Sequence, residues 1–380
     1  MRAQVYKSID DIGHSRLAVL PSNLDFSFGL LRAVELSLWG ELLVRYITVE
    51  DNHDTIQAFT PVYVGSNLNF NALLPKFVEK SHDVMLGMFG KTMATRAALA
   101  GSLISDRGWI PMHPKLADRT GALRLMLKEI DRVAKENKAQ LGMIKDIHSD
   151  FPAAERALMR EAGFTQGYSL PTIRISTDYN SFEDYLTRHL TKNGRKHARR
   201  QFRKAEGMLT WRVVEHFESM IPSVFALYRT VFLRAKYKFE ELPPRFFVEC
   251  ARSTDPRTEM VNCETADGKI VGSLLIFYNQ HEQQNKRIGI DYDFPESALV
   301  YNLLNYVGIQ RAIARGIKTL WLGQSSYVTK TRLGGRIEDQ YALIKAYDPL
   351  LKPTLPLQRW WMSRYSAAKV QAYVESGLPL

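Results

Sequence analysis

A polar loop in the last fifth of the chain carries residue types suited to holding a substrate. The run 324–327 follows a short apolar stretch and a glycine, so we expect it at the carboxyl end of a strand, where substrate contacts commonly lie. Two cations follow it, and they are suited to a phosphate or a carboxylate. A turn with solvated basic side chains is the alternative. The candidate binding residues of this loop are Gln324, Ser325, Ser326, Lys330 and Arg332.

An acidic triplet, Asp291-Tyr292-Asp293, falls where a predicted strand from Arg287 to Phe294 opens into a loop. Strand alternation places the two carboxylates on one side and the tyrosine on the other. A partly buried Asp291 is therefore a candidate general base, acting directly or through water. The alternative is a structural carboxylate that caps the next helix or pairs with Arg287.

The first half of the chain offers a second, weaker set of titratable residues. His113 ends the run Gly108-Trp109-Ile110-Pro111-Met112 and is a candidate general base. Asp146 and His148 are two positions apart, so both face one side of a predicted strand. The alternative for each histidine is a structural side chain with satisfied hydrogen bonds. His113 and Asp146 are kept as candidates.

The segment 181–207, SFEDYLTRHLTKNGRKHARRQFRKAEG, concentrates positive charge. Its cations recur at a spacing of four residues, which on a helix makes one basic face. Such a face suits the phosphates of a cofactor, an RNA or a lipid. A solvated surface helix paired with acidic residues is the alternative. The candidate anion-binding residues here are Arg195, Arg199 and Arg200.

Composition and missing motifs exclude several classes of protein. Hydrophobic residues make up 45% and charged residues 24%, which excludes a disordered chain or a coiled-coil rod. The formal net charge of +11 favours anionic partners. There is no phosphate-binding P-loop, no G-x-S-x-G nucleophile motif and no histidine spacing that suggests a metal.

The two cysteines, Cys250 and Cys263, cannot build a disulfide framework or a four-cysteine zinc site. They fit a reducing compartment, so we expect a cytoplasmic protein. No stretch reaches the roughly 18 uninterrupted apolar residues of a spanning helix. Any membrane contact is therefore expected to be peripheral, at the inner face.

Hydrophobic periodicity predicts an α/β protein. The predicted helices are Leu24 to Trp39 after Ser22-Asn23, Ala122 to Asn137, Ala153 to Ala162, the basic segment 181–207, Met220 to Lys236, Phe246 to Arg252 and Ala298 to Arg315. The predicted strands are Glu41 to Val49, Thr55 to Val64, Leu103 to Met112, Leu141 to Ile147, Tyr168 to Ser176, Trp211 to Glu215, Glu259 to Cys263, Ile270 to Tyr278, Arg287 to Phe294, Lys318 to Leu322 and Gln340 to Tyr347.

One layout occurs twice. Segments 121–146 and 297–323 each contain a small residue, Ala-Leu, a long amphipathic helix and a short apolar strand. This repetition predicts two similar α/β domains. The alternative is that any α/β protein repeats such units.

These segments also resemble a known family. Two segments resemble the FemAB-like, peptidoglycan-biosynthesis-related branch of the GNAT acyltransferase superfamily. They are SFEDYLTRHLTKNGRKHARRQFRK, which begins at residue 181, and YNLLNYVGIQRAIARGIKTLWLGQSSYVTKTRLGG (301–335). In the second segment the counterparts of the family pattern include Gln324, Lys330 and Gly334, and Gly334 is therefore also a candidate binding residue. The resemblance covers roughly residues 100–345. It implies two tandem GNAT-like domains, each a mixed, mostly antiparallel sheet flanked by helices.

The resemblance divides the chain into four parts. They are an N-terminal GNAT-like domain at 1–178, a basic junction helix at 179–208, a C-terminal GNAT-like domain at 209–348 and a tail helix at 349–380. The chain departs from the family in the pyrophosphate loop, since neither 113–122 nor 294–300 spells the usual glycine-rich pattern. That departure puts a standard grip on coenzyme A in doubt.

The chemistry implied is direct acyl transfer to an amine, without a covalent enzyme intermediate. The expected co-substrate is acyl-CoA, or an acyl carrier protein thioester, and no metal is needed. Tyr292 and Tyr301 are candidates for protonating the leaving thiolate or orienting the carbonyl, although a tyrosine in a helix or strand is more often part of the core. The resemblance permits a hydrophobic amine as acceptor: an amino lipid or a sphingoid base, which would give a ceramide-type product.

Two other functions stay open. The first is Fem-type aminoacyl transfer from charged tRNA, with the basic junction helix as the RNA contact. The second is a non-catalytic RNA- or membrane-binding protein. The tail 348–380 bears on the last, because Trp360 and Trp361 lie among basic residues, a composition suited to a membrane interface. A helix docked on the body of the protein is the alternative.

Overall fold

The chain forms two compact units in the computed structural model, which describes residues 1–21, 23–38, 42–66, 96–235 and 240–376. The first unit comprises residues 1–171 together with 339–373, and the second comprises residues 172–338. The linear boundaries expected from the family resemblance stay a prediction. The compact units differ from them because the chain returns to the first unit after Glu338.

The described residues form both strands and helices along the chain. The strands are β1 (Arg2–Tyr6), β2 (Leu43–Glu50), β3 (Ile56–Gly65), β4 (Ala97–Ala100), β5 (Leu141–His148), β6 (Thr165–Ser176), β7 (Leu209–Val214), β8 (Arg257–Thr265), β9 (Ile270–Tyr278), β10 (Glu282–Ile290), β11 (Thr319–Gly323) and β12 (Arg336–Ala346). The helices are α1 (His14–Leu17), α2 (Phe28–Leu36), α3 (Arg119–Glu136), α4 (Ala153–Glu161), α5 (Phe182–Arg188), α6 (Lys192–Ala205), α7 (Ile221–Arg234), α8 (Pro244–Ala251), α9 (Ser297–Ala314), α10 (Tyr327–Arg332), α11 (Leu355–Met362) and α12 (Ala367–Ser376). Short 3₁₀ helices occur at Leu24–Phe26, Glu218–Met220, Pro349–Thr354 and Ser363–Tyr365.

Both units use the same pattern of strand pairing. In the first unit the strands follow the order β1-β2-β3-β4-β5-β12, and in the second the order is β7-β8-β9-β10-β11-β6. Every neighbouring pair is antiparallel except β4 with β5 and β10 with β11, which are parallel. The expected fold class, mixed and mostly antiparallel sheets flanked by helices, is confirmed. The shared pattern also favours the internal duplication that the sequence predicts.

Each unit buries a long helix against its own sheet. In the first unit, apolar residues of α3 such as Leu123, Met126 and Ile130 pack with β2, β3 and β5 in one buried cluster. In the second, Leu303, Leu304 and Val307 of α9 pack with β8 and β9. Each helix links the two strands of its unit's parallel pair, so its first turn follows the loop that leaves the first of those strands.

Several predicted elements need correction. The predicted strand Leu103 to Met112 is wrong: the strand of this region is β4, and 103–112 forms turns and single bridges. The basic segment 181–207 is two helices, because Thr191 caps a new one by accepting a hydrogen bond from the Gly194 N–H. The strand expected from Arg287 to Phe294 is β10, which begins and ends earlier. The predicted bounds at Ser22, Trp39, Glu41 and Lys236 lie outside the described residues.

Candidate functional site

The second unit contains a place where two parallel strands separate. Strand β10 pairs with β11 only over three residues of each strand, Glu282–Gln284 with Thr319–Trp321. Beyond this stretch β10 continues along β9 to Ile290, and β11 continues along β6 to Gly323. Each strand shifts register just past the pairing, at Lys286 in β10 and at Leu322 in β11. Backbone groups on the separating edges are therefore placed to bond an extended ligand that enters between the strands.

Tyr301 lies on α9, the helix that links β10 to β11, and Ser326 lies in the loop after β11. Burial raises the pKa of Tyr301, and the nearby Ser326 and Asn305 side chains only partly oppose the rise. The Asn305 Nδ2 donates to the Tyr301 backbone carbonyl oxygen at 2.8 Å. The Tyr292 phenol is close enough to interact electrostatically with that of Tyr301. The structure thus brings together three residues predicted from the sequence, and keeps one phenol protonated at neutral pH.

The loop that presents Ser326 has an unusual backbone. Gly323, Ser325 and Ser326 all have positive φ, at 69°, 67° and 51°. For a serine this conformation costs roughly 1–2 kcal/mol. Lys330 holds it: its side chain is buried, and its Nζ donates to the Gln324 carbonyl oxygen at 2.8 Å. Lys330, predicted to bind phosphate or carboxylate, therefore supports the loop from inside.

Gly334 lies where the basic junction meets the end of α10. The His189 Nε2 is 2.9 Å from the Gly334 carbonyl oxygen, and the His189 Nδ1 is 2.8 Å from the Tyr179 hydroxyl. The Tyr185 hydroxyl donates to the neighbouring Leu333 carbonyl. Gly334 has a φ of 77°, and a Cβ there would overlap the His189 ring. Sequence reasoning missed His189 and Tyr185, because only the fold shows which backbone they reach.

Gly334→Ala is expected to lower the free energy of unfolding by about 1–3 kcal/mol, because the new methyl group displaces the His189 ring. Gly268→Ala is the matched control. Gly268 has a similar φ of 81° in the β8–β9 turn, but nothing lies within 4 Å of a Cβ there. Urea unfolding of both variants measures the difference. Equal losses would mean that the clash with His189 contributes nothing.

Asp291 lies in the turn after β10 and forms an ion pair with Lys269. Its Oδ2 is 2.7 Å from the Lys269 Nζ, and its Oδ1 accepts the Asp293 N–H at 3.0 Å. The hydrogen bond from Lys269 is the main cause that lowers the pKa of Asp291. A carboxylate with a lowered pKa is a weaker base. The strand alternation expected for Asp291 and Asp293 does not apply, because β10 has already ended at Ile290.

In the first unit, the corresponding separation of strands is filled by the chain itself. There β4 pairs with β5 over Ala97–Ala100 and stops. The loop that follows lies along the rest of β5: the Gly108 N–H donates to the Asp146 carbonyl oxygen at 2.5 Å. The Lys145 Nζ donates to the carbonyl oxygens of Leu103 and Ser105 at 3.1 and 3.0 Å. An extended ligand has no such place to enter here.

The first turns of the two long helices, α3 and α9, also differ in how readily they could accept a phosphate group. At the start of α3, the Asp118 carboxylate accepts the Gly121 N–H at 2.8 Å, so an anion already occupies this helix end. At the start of α9, the Glu296 side chain makes no capping bond and pairs with Lys204 at 2.5 Å. The start of α9 is thus the better place for a phosphate group.

His113 and Asp146, predicted from the first half, lie in the first unit with separate partners. The His113 Nδ1 accepts the Lys115 N–H at 3.2 Å. Asp146 is buried, accepts a hydrogen bond from Ser169 and pairs with Lys145 at 3.2 Å. No hydrogen bond or ion pair joins His113 to Asp146 among the described residues. The structure therefore does not gather them into one site.

Asp150 gives the first unit a pH-dependent ion pair. Burial raises its pKa, but hydrogen bonds and charge from His148 and Arg107 outweigh this and lower the pKa to about 2. The carboxyl is half-exposed, so solvent screening limits its contribution to about 1 kcal/mol. A lowered folded-state pKa gives stability that is present above pH 4 and lost as the pH falls towards 2. Asp150→Asn should therefore lower the free energy of unfolding at pH 7 and not at pH 2. Urea unfolding at both pH values measures this, and an equal loss of free energy at both would contradict it.

The basic junction forms helices α5 and α6, which pack by an aromatic face. Phe182 stacks on Tyr185, and its ring meets Phe202 and Tyr306 edge-on. The polar face divides its cations into two groups. Arg195 donates to the Thr187 carbonyl oxygen at 3.0 Å, and Arg199 pairs with Glu183. These two candidate residues already have partners within the junction.

The second group of cations is exposed and has no ion pair in the part of the chain that the structure describes. Arg200 of α6 and Arg332 of α10 both lie close enough to His197 for their charges to act on it. Burial first, and then these two charges, lower the pKa of His197. Arg200 and Arg332, predicted separately, therefore contribute to one positive surface, which we call the cation patch. Its further exposed members on α6 are Lys192, Lys196 and Arg203.

Metal and thiol chemistry have no site in the described residues. They hold no group of three or more His, Cys, Asp or Glu side chains arranged for a metal ion. Both cysteines are buried and free, and burial raises the pKa of Cys263 to about 12. A thiol with so high a pKa is a poor nucleophile.

The family comparison fits this geometry. The chain matches the FemAB-like family, described as peptidoglycan biosynthesis/recognition, over residues 110–332. That range includes the strand separation, Tyr301, Ser326 and the cation patch. It covers more than half of the chain.

Solved structures share the fold at low sequence identity. The crystal structure of FemX superposes with a TM-score of 0.64 and 10% identity, over 93% of this chain and 100% of that one. A tandem GNAT protein from the clavulanic acid biosynthesis pathway superposes with a TM-score of 0.51 and 10% identity, over 91% and 98%. The fold is that of tandem GNAT proteins.

A curated relative from Mycobacterium tuberculosis, provisionally named 8-amino-7-oxononanoate synthase 2 in two strains, is 24% identical over 250 residues. The match covers 63% of this chain and 32% of the relative. The chain thus spans about a third of that protein's length.

Proposed function

We propose that this chain, which belongs to the FemAB-like family and is an acyl- or aminoacyl-transferase, moves an acyl group from a thioester to the primary amine of a hydrophobic molecule. The expected donor is acyl-CoA. The expected acceptor is an amino lipid or a sphingoid base, which gives a ceramide-type amide.

The separation of β10 from β11 beside Tyr301 carries the proposal. An extended thioester arm can bond to the freed strand edge, which would place its carbonyl near the Tyr301–Ser326 pair. Among its described residues the first unit shows no equivalent opening, because its loop 102–108 lies along β5. Catalysis is therefore assigned to the second unit.

The reaction needs one C–N bond made and one C–S bond broken. The lone pair of the neutral amine attacks the thioester carbon, and the carbonyl electrons move to oxygen. When the carbonyl re-forms, the thiolate leaves and takes the proton of the Tyr301 phenol. The nitrogen releases its surplus proton to water, and the phenolate regains one from solvent. Tyr301 stays protonated at neutral pH, and its raised pKa makes it a weaker acid than an ordinary phenol, so its position beside the leaving sulfur, rather than its acidity, is what suits it to this role.

The phosphates of the donor are assigned to the cation patch and the start of α9. Lys204 neutralises Glu296 at that helix end, and Arg203 is exposed in the adjacent position. Arg200 and Arg332 extend the positive surface. In this proposal these cations and the helix start take the place of the glycine-rich pyrophosphate-binding loop that the sequence lacks.

The acceptor class draws support from the curated relative. Its name describes a compound with a primary amine beside a ketone on an aliphatic chain. A protein that makes such an amine and also carries a segment similar to this chain has the parts to form an amine and then acylate it. We take an aliphatic amine with a neighbouring oxygen function as the acceptor.

The test is thiol release from acyl-CoA of several chain lengths against a panel of amines. We expect turnover with a long-chain 2-amino alcohol or 2-amino ketone, and little with amino acids or peptides. Absence of turnover with every donor and amine would overturn the proposal. Turnover only with short polar amines would overturn the acceptor class while keeping the acyltransferase.

A second experiment addresses the phosphate contact. Arg200→Ser and Arg332→Ser should raise KM for acyl-CoA about tenfold, since each removes a charge-assisted contact. They should not change KM for the acyl thioester of N-acetylcysteamine, which has no phosphate. Arg229→Ser, an exposed arginine on α7, is the control. Equal effects on both donors would remove the cation patch from donor binding.

Aminoacyl transfer from tRNA is the second candidate, favoured by the cation patch and by the structural similarity to FemX. It predicts product formation that RNase abolishes. It also predicts tRNA binding that weakens steeply as salt rises. Turnover with acyl-CoA in RNase-treated protein would exclude it as the required route.

A further inference from the structure

The segment after β12 has an inward face that is firmly anchored in the first unit. Met362, Tyr365 and Val370 are buried. Met362 packs so closely on Gly167 that a Cβ there would lie 2.9 Å from its sulfur. The Ala367 N–H donates to the Asp339 carboxylate at 2.6 Å. The segment is thus held in one orientation, as expected for a docked helix.

Its outward face is apolar and open to solvent. Leu350 is 83% exposed, Leu357 is 41% exposed and Trp360 is 65% exposed. Leu357 and Trp360 are three residues apart on α11, so they share one face of the helix. Scattered single exposed residues are ordinary, but three large ones within 350–360 form a concentrated apolar surface.

The charged side chains of the segment between Asp348 and Glu375 are all positive. Lys352 and Arg359 are exposed, and neither has an ion-pair partner in the described ranges. Arg364 and Lys369 follow, and the sequence has no Asp or Glu between Asp348 and Glu375. The Arg364 guanidinium lies 3.4 Å from the centre of the Trp361 ring. A tryptophan and leucines flanked by basic side chains match the boundary between lipid headgroups and acyl chains.

We propose that this surface, residues 350–360, binds a bilayer that contains anionic phospholipid. The apolar side chains enter the headgroup region, while Lys352 and Arg359 meet lipid phosphates. A second copy of the chain is a poorer occupant, because a two-fold contact brings the same cations face to face. The proposal does not depend on the acyl-transfer reaction, although a membrane position would bring a lipid amine within reach.

Cosedimentation with vesicles tests the proposal without any activity measurement. We expect binding to phosphatidylcholine vesicles that contain phosphatidylglycerol, weaker binding to phosphatidylcholine alone, and loss of binding at high salt. The double variants Leu357→Ser/Trp360→Ser and Lys352→Glu/Arg359→Glu should each bind at least about tenfold more weakly. Circular dichroism confirms that each variant is folded.

Leu233→Ser is the matched control, because Leu233 is a 54% exposed leucine on α7. It should bind vesicles as the unmodified protein does. Failure of the unmodified protein to sediment with either vesicle would overturn the proposal, as would an equal loss in the Leu233 control. A dimer in light scattering that Leu357→Ser/Trp360→Ser abolishes, without vesicle binding, would assign the surface to self-association instead.

Discussion

Tyr301→Phe is expected to lower kcat for acyl transfer by about 10²–10⁴-fold, the usual contribution of a positioned general acid. The change removes only the hydroxyl that meets Ser326 and would protonate the leaving thiolate. The loss should shrink with an arylthiol ester, because such a thiolate leaves without a proton. The alkaline limit of the unmodified enzyme should lie above the ordinary tyrosine pKa of about 10. Steady-state kinetics with both donors and across pH measures these effects.

Tyr306→Phe is the control for this experiment. Tyr306 lies on the same helix, and burial raises its pKa to about 12, but its hydroxyl is 3.5 Å from the His197 Nδ1 and Ser326 is not among the groups that shift its pKa. Its replacement should leave kcat within a few-fold of the unmodified enzyme. Two results would mean that Tyr301 does not supply the proton. One is an equal loss of kcat in both variants, and the other is a loss in Tyr301→Phe that is the same for alkylthiol and arylthiol esters.

Glu259→Ala should lower the free energy of unfolding by about 3–5 kcal/mol, as expected when one member of a buried ion cluster is removed. Glu259 is fully buried on β8, and it accepts hydrogen bonds from Arg311 at 2.9 Å and from Arg315. Arg311 lies in the last turn of α9 and Arg315 is the residue at its C-terminal cap, so this cluster fixes the helix that presents Tyr301. Without the carboxylate, two arginines are left with uncompensated charge. Urea unfolding measures the loss.

Glu264→Ala is the matched control on the same strand. Its partner, Arg212, is well exposed and lies 2.9 Å away, so the variant should lose less than about 1 kcal/mol. Similar losses in the two variants would show that burial adds nothing to the Glu259 cluster. Kinetics of Glu259→Ala below its unfolding transition should also show a lower kcat, because α9 is less well positioned.

Periodic segments were predictable because their side-chain pattern matches their burial. The helix expected from Ala298 to Arg315 is α9, and the strand Ile270 to Tyr278 is β9 as predicted. The start of β10 was not predictable, because Glu282 to Lys286 is a polar run that is nevertheless buried. Distant groups bond to part of it: the Trp321 Nε1 donates to Glu282 at 2.8 Å, and the Gly308 carbonyl accepts from Gln283 at 2.8 Å.

The candidate site was predictable in its residue types and not in their arrangement. Ser326 and Tyr301 stood out from motif and loop position, but their contact depends on how far β11 and α9 extend. Lys330 was predicted as a binding cation, but its Nζ donates to the Gln324 carbonyl oxygen, next to the two serines that have a left-handed backbone. Asp291 was predicted as a catalytic carboxylate, and only the structure shows that it forms an ion pair with Lys269.

The return of the chain to the first unit has a consequence for synthesis on the ribosome. The edge of β5 is completed by Gln340–Ala346 of β12, which are made only after the whole second unit has been translated. During that interval the nascent first unit presents an unsatisfied strand edge, a feature that invites aggregation or chaperone binding. The inserted unit begins and ends near one place, since Arg174 and Glu338 form an ion pair at 2.6 Å. A gene fragment encoding 172–338 alone is therefore a better candidate for independent expression than one encoding 1–171.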